Sequence, residues 1–189
     1  MKQLVFATHN ANKLAEVQAI LKDRYQVSGL KEIGLQEDIP ENASSFAENA
    51  SLKTHYVYQR RQLDCFGDDS GLEVEALNQE PGIYSARYSG QGDEANTKLV
   101  LQKLEGITNR KARFKTVISL LVDGKEQFFE GQLNGTITME PRGSGGFGYD
   151  PIFQPDGFDI TLAEMSMAEK NAISHRAQAM KKLLDWLLA

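Results

Sequence analysis

The chain has 189 residues, 41% hydrophobic and 25% charged, which suits a globular protein with one substantial core or two lobes sharing one. Its net charge of −5 argues against a DNA or RNA partner, which calls for a basic face, and no apolar run approaches the roughly 20 residues of a membrane-spanning helix. A single cysteine, Cys65, excludes an internal disulfide and fits a reducing cytoplasm, where a small buried thiol is its expected role.

The opening MKQLVFATHN has too short an apolar stretch for a signal peptide. Residues 3 to 7 read as a buried strand. THNAN then turns into a helix over 12 to 22, where Leu14, Val17 and Leu21 recur at helical spacing. YQVSGL reads as a second strand, and Ser44 or Ser45 with Glu48 as the capping box of a helix running to Arg61. LDCFG is expected to be a short strand ending at the adjacent acids Asp68 and Asp69. LEVEAL alternates apolar and acidic, as a half-exposed strand does.

PGIYSARYSGQGDE reads as a long loop before a helix over 93 to 104. RFKTVISLLV, a DG turn and KEQFFEGQL form a hairpin. EPRGSGGFGYDP, residues 140 to 151, has no periodicity and is rich in glycine. Ser166 with Glu169 is a further capping box. Ser174 to Leu188 reads as an amphipathic helix through Ala177, Met180, Leu184 and Leu187, with Trp186 and the last leucines expected in the core rather than at an interface. Strand–helix alternation with an inserted hairpin predicts an α/β protein with a mixed sheet. No linker or internal repeat interrupts it, so residues 1–189 read as a single domain.

Four stretches can carry chemistry. In THNANK, Thr8, Asn10 and Lys13 stand where a helix N-terminus opens, and its N–H groups and the lysine suit an anion or serve as a plain cap. In GDDSG, two carboxylates can hold a hard cation and take a proton from an attacking water, or be exposed turn acids. In GSGGFGYDPIF, glycines with Phe147 and Tyr149 make either a platform for a planar base or a loop pinned by its aromatics. In KNAISHRAQ, Lys170, His175 and Arg176 cluster at a helix start, and the arginine fork suits a base edge or a phosphate. The three histidines, His9, His55 and His175, share no zinc spacing with the cysteine, so zinc is not expected.

Together, FATHNANKLAEVQAIL, SFAENASLK, DDSGLEVEAL, PGIYSARYSG, GGFGYDPIF and AEKNAISHRAQA resemble the inosine triphosphate pyrophosphatases, the Ham1-like proteins, in order from Phe6 to Ala179. The resemblance implies an elongated α/β fold with a long mixed sheet, two lobes flanking a nucleotide cleft, and a cytoplasmic homodimer. It implies Mg²⁺-dependent hydrolysis of ITP, dITP and XTP to the monophosphate and pyrophosphate, which keeps these nucleotides out of DNA and RNA. Carried over, Thr8, His9, Asn10, Ala11, Asn12 and Lys13 match the triphosphate-contacting turn. Asp69 matches the catalytic proton acceptor and metal ligand, with Ser70 beside the substrate. Phe147, Gly148, Tyr149 and Asp150 match the base-side loop, and Lys170, His175 and Arg176 the remaining nucleotide contacts.

Glu41 is the expected second metal ligand, although ENASSF departs from the Glu-x-Gly-x-Thr-Phe usual there. His9 replaces a smaller residue common in the first turn. Asp68 is expected to support Asp69 or to bind a second cation. The alternative is a purine-nucleotide sensor without turnover, which needs the lysine, aromatics and arginine but no in-line carboxylate or metal.

Overall fold

The computed structural model describes residues 1–189, apart from the side chains of Asn12, Glu16 and Ile20. Its strands are β1 (Lys2–Phe6), β2 (Tyr25–Gly29), β3 (Cys65–Val74), β4 (Lys111–Val122), β5 (Lys125–Ile137) and β6 (Phe153–Pro155). Its helices are α1 (Ala11–Leu21), α2 (Phe46–Arg61), α3 (Asp93–Lys103), α4 (Met167–Ile173) and α5 (His175–Leu188). The strands form one mixed sheet in the order β2-β1-β3-β4-β5-β6, with β1 parallel to both β2 and β3 and β5 antiparallel to β6. The α/β class expected from the alternation of elements is the one adopted.

Two compact units divide the chain, each from two segments: Met1–Asp69 with Val117–Phe129, and Ser70–Thr116 with Glu130–Ala189. The first unit buries Val5, Ala7, Leu30, Leu35, Val57, Cys65 and Leu121 together. On the parallel pair β1 and β3, Phe6 lies in register with Phe66 and their rings stack at 4.4 Å. Cys65 is fully buried and its thiol donates to the Thr54 carbonyl at 3.2 Å. Helix α2 starts where its capping pattern puts it, with the Ser45 hydroxyl accepting the Glu48 N–H. It buries Phe46, Asn49, Ala50, Thr54 and Val57, a stripe at helical spacing that includes two polar residues.

The second unit is built around Leu72, Val74, Val100, Leu104, Phe114, Ile137, Ile152 and Phe153. PGIYSARY is not an open loop: Gly82–Arg87 is a 3-10 helix whose Ser85 is buried. Helix α5 buries His175, Ala179, Met180 and Leu183, a stripe turned from the expected Ala177–Met180–Leu184–Leu187 line. His175, at the head of that stripe, stacks on Phe114 at 4.8 Å. The stripe is buried only as far as Leu183, so Trp186 and Leu188 are each 44% exposed rather than in the core.

The most consequential departure concerns the acid pair. Strand β3 does not stop at Asp68 and Asp69 but runs through them to Val74, joining CFG to LEV in one element, and Glu75–Leu77 follows as a 3-10 helix. Aspartate disfavours strands, which is why local preference ends the element there. Side chains from α1 and α2 compensate both charges and allow the strand to continue.

Candidate active site

In the first unit, Asp68 and Asp69 are 4% and 7% exposed, and as neighbours on a strand they face opposite ways. Asp68 Oδ2 accepts from the Lys13 ammonium at 2.9 Å. Asp69 Oδ2 accepts from the Asn49 side-chain amide at 3.1 Å. Lys53 donates to the Asp68 carbonyl at 2.6 Å and pairs with Glu41 at 3.0 Å. Asn49 and Lys53 stand four apart on α2, hence on one face. Gly67 lets that face approach: a Cβ there would lie 2.9 Å from Lys53 Cβ and 3.2 Å from the Ala50 carbonyl.

The electrostatics follow from this crowding. Burial pushes the Asp69 carboxyl up to about 6, and Glu41 and Asp68 add to the rise, while Lys53 and Asn49 hold it back. Burial alone would lower the Lys53 ammonium, but Asp68, Glu41 and Asp69 outweigh it and the net shift is upward. Three carboxylates thus share two ammonium groups, an arrangement short of positive charge.

That deficit, and the hard oxygen donors of Asp69 and Glu41, fit a Mg²⁺ ion, which takes one or two carboxylates and completes its shell with phosphate and water. Among the described residues no group of three His, Cys, Asp or Glu side chains is arranged to hold an ion by itself. Any ion here therefore draws most of its ligands from substrate and solvent.

The THNANK turn is more self-contained than a bare anion trap. Thr8 Oγ1 accepts the Asn10 N–H, and Asn10 Oδ1 accepts the Lys13 N–H, each at 3.1 Å, so the turn caps α1 itself. Its Lys13 side chain remains the charged group aimed at the acid pair. His9 points elsewhere, with Nε2 on the Glu37 carbonyl at 3.1 Å. Ala11 is the first residue of α1 and exposed; the Asn12 side chain lies outside the described residues.

In the second unit, the glycine-rich segment divides its two aromatics. Phe147 is 61% exposed, with Lys170 Nζ 4.5 Å and the Arg176 guanidinium 5.8 Å from its ring centroid. Tyr149 is 5% exposed and its hydroxyl donates to the Ser85 carbonyl at 2.7 Å. The platform expected from both rings is therefore presented by Phe147 alone, and Tyr149 pins the loop. Asp150 is buried, where its Oδ2 accepts the Phe147 N–H at 3.0 Å and the Lys170 ammonium. His175 is 9% exposed on Phe114, and Ser70 Oγ lies 2.7 Å from Thr116 Oγ1.

The sequence profile of the Ham1 family matches residues 4–186. The chain belongs to the Ham1 family. It is 50% identical to the dITP/XTP pyrophosphatase of Porphyromonas gingivalis, covering 100% of this chain and 98% of that protein. The dITP/XTP pyrophosphatase of Bacillus subtilis is 46% identical over 100% of this chain and 98% of its own length. The solved structure of the Staphylococcus aureus Ham1 protein superposes with a TM-score of 0.94 at 42% identity, covering 98% of each chain.

In this Ham1-family chain the structure gathers Lys13, Asp68, Asp69 and Glu41 in the first unit, and Phe147, Asp150, Lys170 and Arg176 in the second; sequence motifs and the family resemblance name them separately. Neither gives a role to Asn49 or Lys53. Both lie in the SFAENASLK stretch that carries the family resemblance, but their contacts with β3 are long-range and no local pattern shows them.

Proposed function

We propose that this chain is a nucleoside-triphosphate pyrophosphohydrolase acting on ITP, dITP and XTP, as a cytoplasmic homodimer that uses Mg²⁺. What carries the reading is the buried Asp69 carboxyl, held to about 6 within a group of carboxylates and lysines. A carboxylate so placed can take a proton from an attacking water, and a cation on the same group would draw its proton affinity down and keep it ionised at working pH. Relatives matching the whole chain and named dITP/XTP pyrophosphatases support the substrate class. No described helix is long and apolar enough to cross a membrane.

The residue group of the first unit has the chemistry to meet phosphates, and that of the second the chemistry to meet a purine. Asp69 orients a water and accepts its proton as the oxygen attacks the α-phosphorus. The bond from that phosphorus to the bridging oxygen breaks, and pyrophosphate leaves with the electron pair. Lys13 and Lys53 exchange their carboxylate partners for phosphate oxygens, meeting the charge that grows on the leaving group. Asp69 and Glu41 would hold Mg²⁺, which would supply further neutralisation of the phosphate charge. Phe147 offers its exposed face to the purine, a contact worth about 1–3 kcal/mol. Arg176 stands beside that ring as a donor fork for a keto oxygen and ring nitrogen.

The test is pyrophosphate release from ITP, with ATP as comparison and with Mg²⁺ present or chelated. Monophosphate and pyrophosphate in equal amounts, from ITP in preference and only with the metal, are expected. Tight ITP binding with no turnover would make the chain a nucleotide sensor instead.

A further inference from the structure

Helix α3 belongs to neither group of residues described above, yet three of its side chains converge on the second unit's loops. Asp93, Asn96 and Thr97 stand at positions i, i+3 and i+4, hence on one face, and Asn96 and Thr97 are 2% and 6% exposed. This face is polar where a helix of this length ordinarily buries apolar residues. Its partners explain it.

Asp93 Oδ2 accepts the Gly148 N–H at 3.0 Å, and Thr97 Oγ1 donates to the Gly148 carbonyl at 3.4 Å, so both backbone polar groups of one residue are held by one helix. Asn96 donates to the carbonyls of Ser85 at 3.3 Å and Ala86 at 3.2 Å, and the same Ser85 carbonyl accepts the Tyr149 hydroxyl. Gly148 has φ of +60°, a conformation that a side chain resists, and it immediately follows the exposed Phe147. The peptide leading out of Phe147 is thereby fixed on one side by α3. On the other, Asp150 accepts the Phe147 N–H. Asp93 could have served its own helix start, but α3 begins at Gly92 with no side-chain cap, and the carboxylate goes to the loop.

We propose that Asp93 is a positioning residue for the purine platform: by holding the Gly148 N–H it sets where the Phe147 ring stands, with Thr97 as second anchor. This rests on the reading of Phe147 as the base contact. It assigns α3 a share in substrate recognition through the loop, without touching the substrate. A base stacked on Phe147 gains from a ring already in place, because ordering that ring at binding costs affinity.

The experiment compares Asp93→Ala, Asp93→Asn, Phe147→Ala and the Asp93→Ala/Phe147→Ala double variant in steady-state pyrophosphate release from ITP, with thermal melting of each. Asp93→Ala is expected to raise KM about fivefold, the scale of one lost hydrogen bond, with kcat within about twofold. Asp93→Asn keeps an acceptor for the Gly148 N–H and is expected to restore KM, although it loses the same helix-terminal charge. The double variant should match Phe147→Ala alone, since both changes act through one ring. An Asp93→Asn variant as impaired as Asp93→Ala would overturn the inference, because charge at the helix start and not the loop contact would then be responsible. A normal KM in Asp93→Ala beside a raised KM in Phe147→Ala would also overturn it, leaving the base contact intact. A normal KM in Phe147→Ala would remove the base contact itself, and the inference with it.

Discussion

Asp69→Asn is expected to slow ITP hydrolysis at least ~100-fold in saturating Mg²⁺ while making the metal-free protein more stable at neutral pH. The rate loss follows from removing the proton acceptor and an anionic metal ligand together. The gain in stability follows from the raised carboxyl. Folding lifts Asp69 from 3.8 to about 6, so the folded form keeps a proton that the unfolded chain gives up. The contribution of this group to stability is complete below about pH 4 and is lost as pH rises through about 6. At pH 7 the loss is on the order of 2–3 kcal/mol, since each tenfold change in proton affinity between the two states is worth about 1.4 kcal/mol. Asparagine is neutral throughout and escapes it, while its side-chain oxygen can still accept from Asn49. Melting in chelator from pH 4 to 8, beside initial rates, checks both halves. Near-normal turnover would remove Asp69 from the chemistry, and a variant less stable than the parent at pH 7 would show that the carboxylate is not under electrostatic load.

Lys53→Met should have the opposite sign. The lysine is the counter-ion shared by Glu41, Asp68 and Asp69, and its removal leaves buried acids short of charge. Breaking a buried pair on one side costs about 3–5 kcal/mol, reduced here to about 2–3 because the Glu41 side chain is 33% exposed. For a chain of this length that corresponds to a fall in Tm of roughly 5–10 °C. The more diagnostic outcome is metal dependence: millimolar Mg²⁺ should raise the Tm of Lys53→Met more than that of the parent, because the ion supplies the charge the methionine lacks. An equal response in both proteins would mean that the lysine and the ion answer to different carboxylates.

These two residues also show what motif reading grasps and what it leaves. The acid pair was legible as a candidate because two adjacent acids before Ser-Gly are more than a turn requires, and the family resemblance then singled out Asp69. The caps at Ser45 and Ser166 were legible because a capping hydroxyl acts within three residues of itself. Lys53 was not, because its significance is non-local: it lies on α2 and acts on β3. The end of β3 was misplaced for the same reason. Local preference breaks a strand at Asp68, and only Lys13, Asn49 and Lys53, all distant in sequence, explain why it continues. Tyr149 and Phe147 are two residues apart with similar composition around them. Their opposite fates depend on Ser85, whose carbonyl captures one hydroxyl and for which Phe147 has no equivalent.

Cys65 gives the first unit an internal clock. The thiol is the chain's only one, it lies at the start of the strand that carries both acids, and burial pushes it up to about 12. A disulfide reagent attacks the thiolate, which is scarce at neutral pH while the sulfur remains enclosed. Labelling therefore counts the occasions on which β3 leaves its neighbours, one event at a time, in a protein that needs no engineered reporter. Nucleotide held by Lys13 and Lys53 would slow those openings, so the rate of thiol capture reads occupancy of the catalytic strand without any turnover.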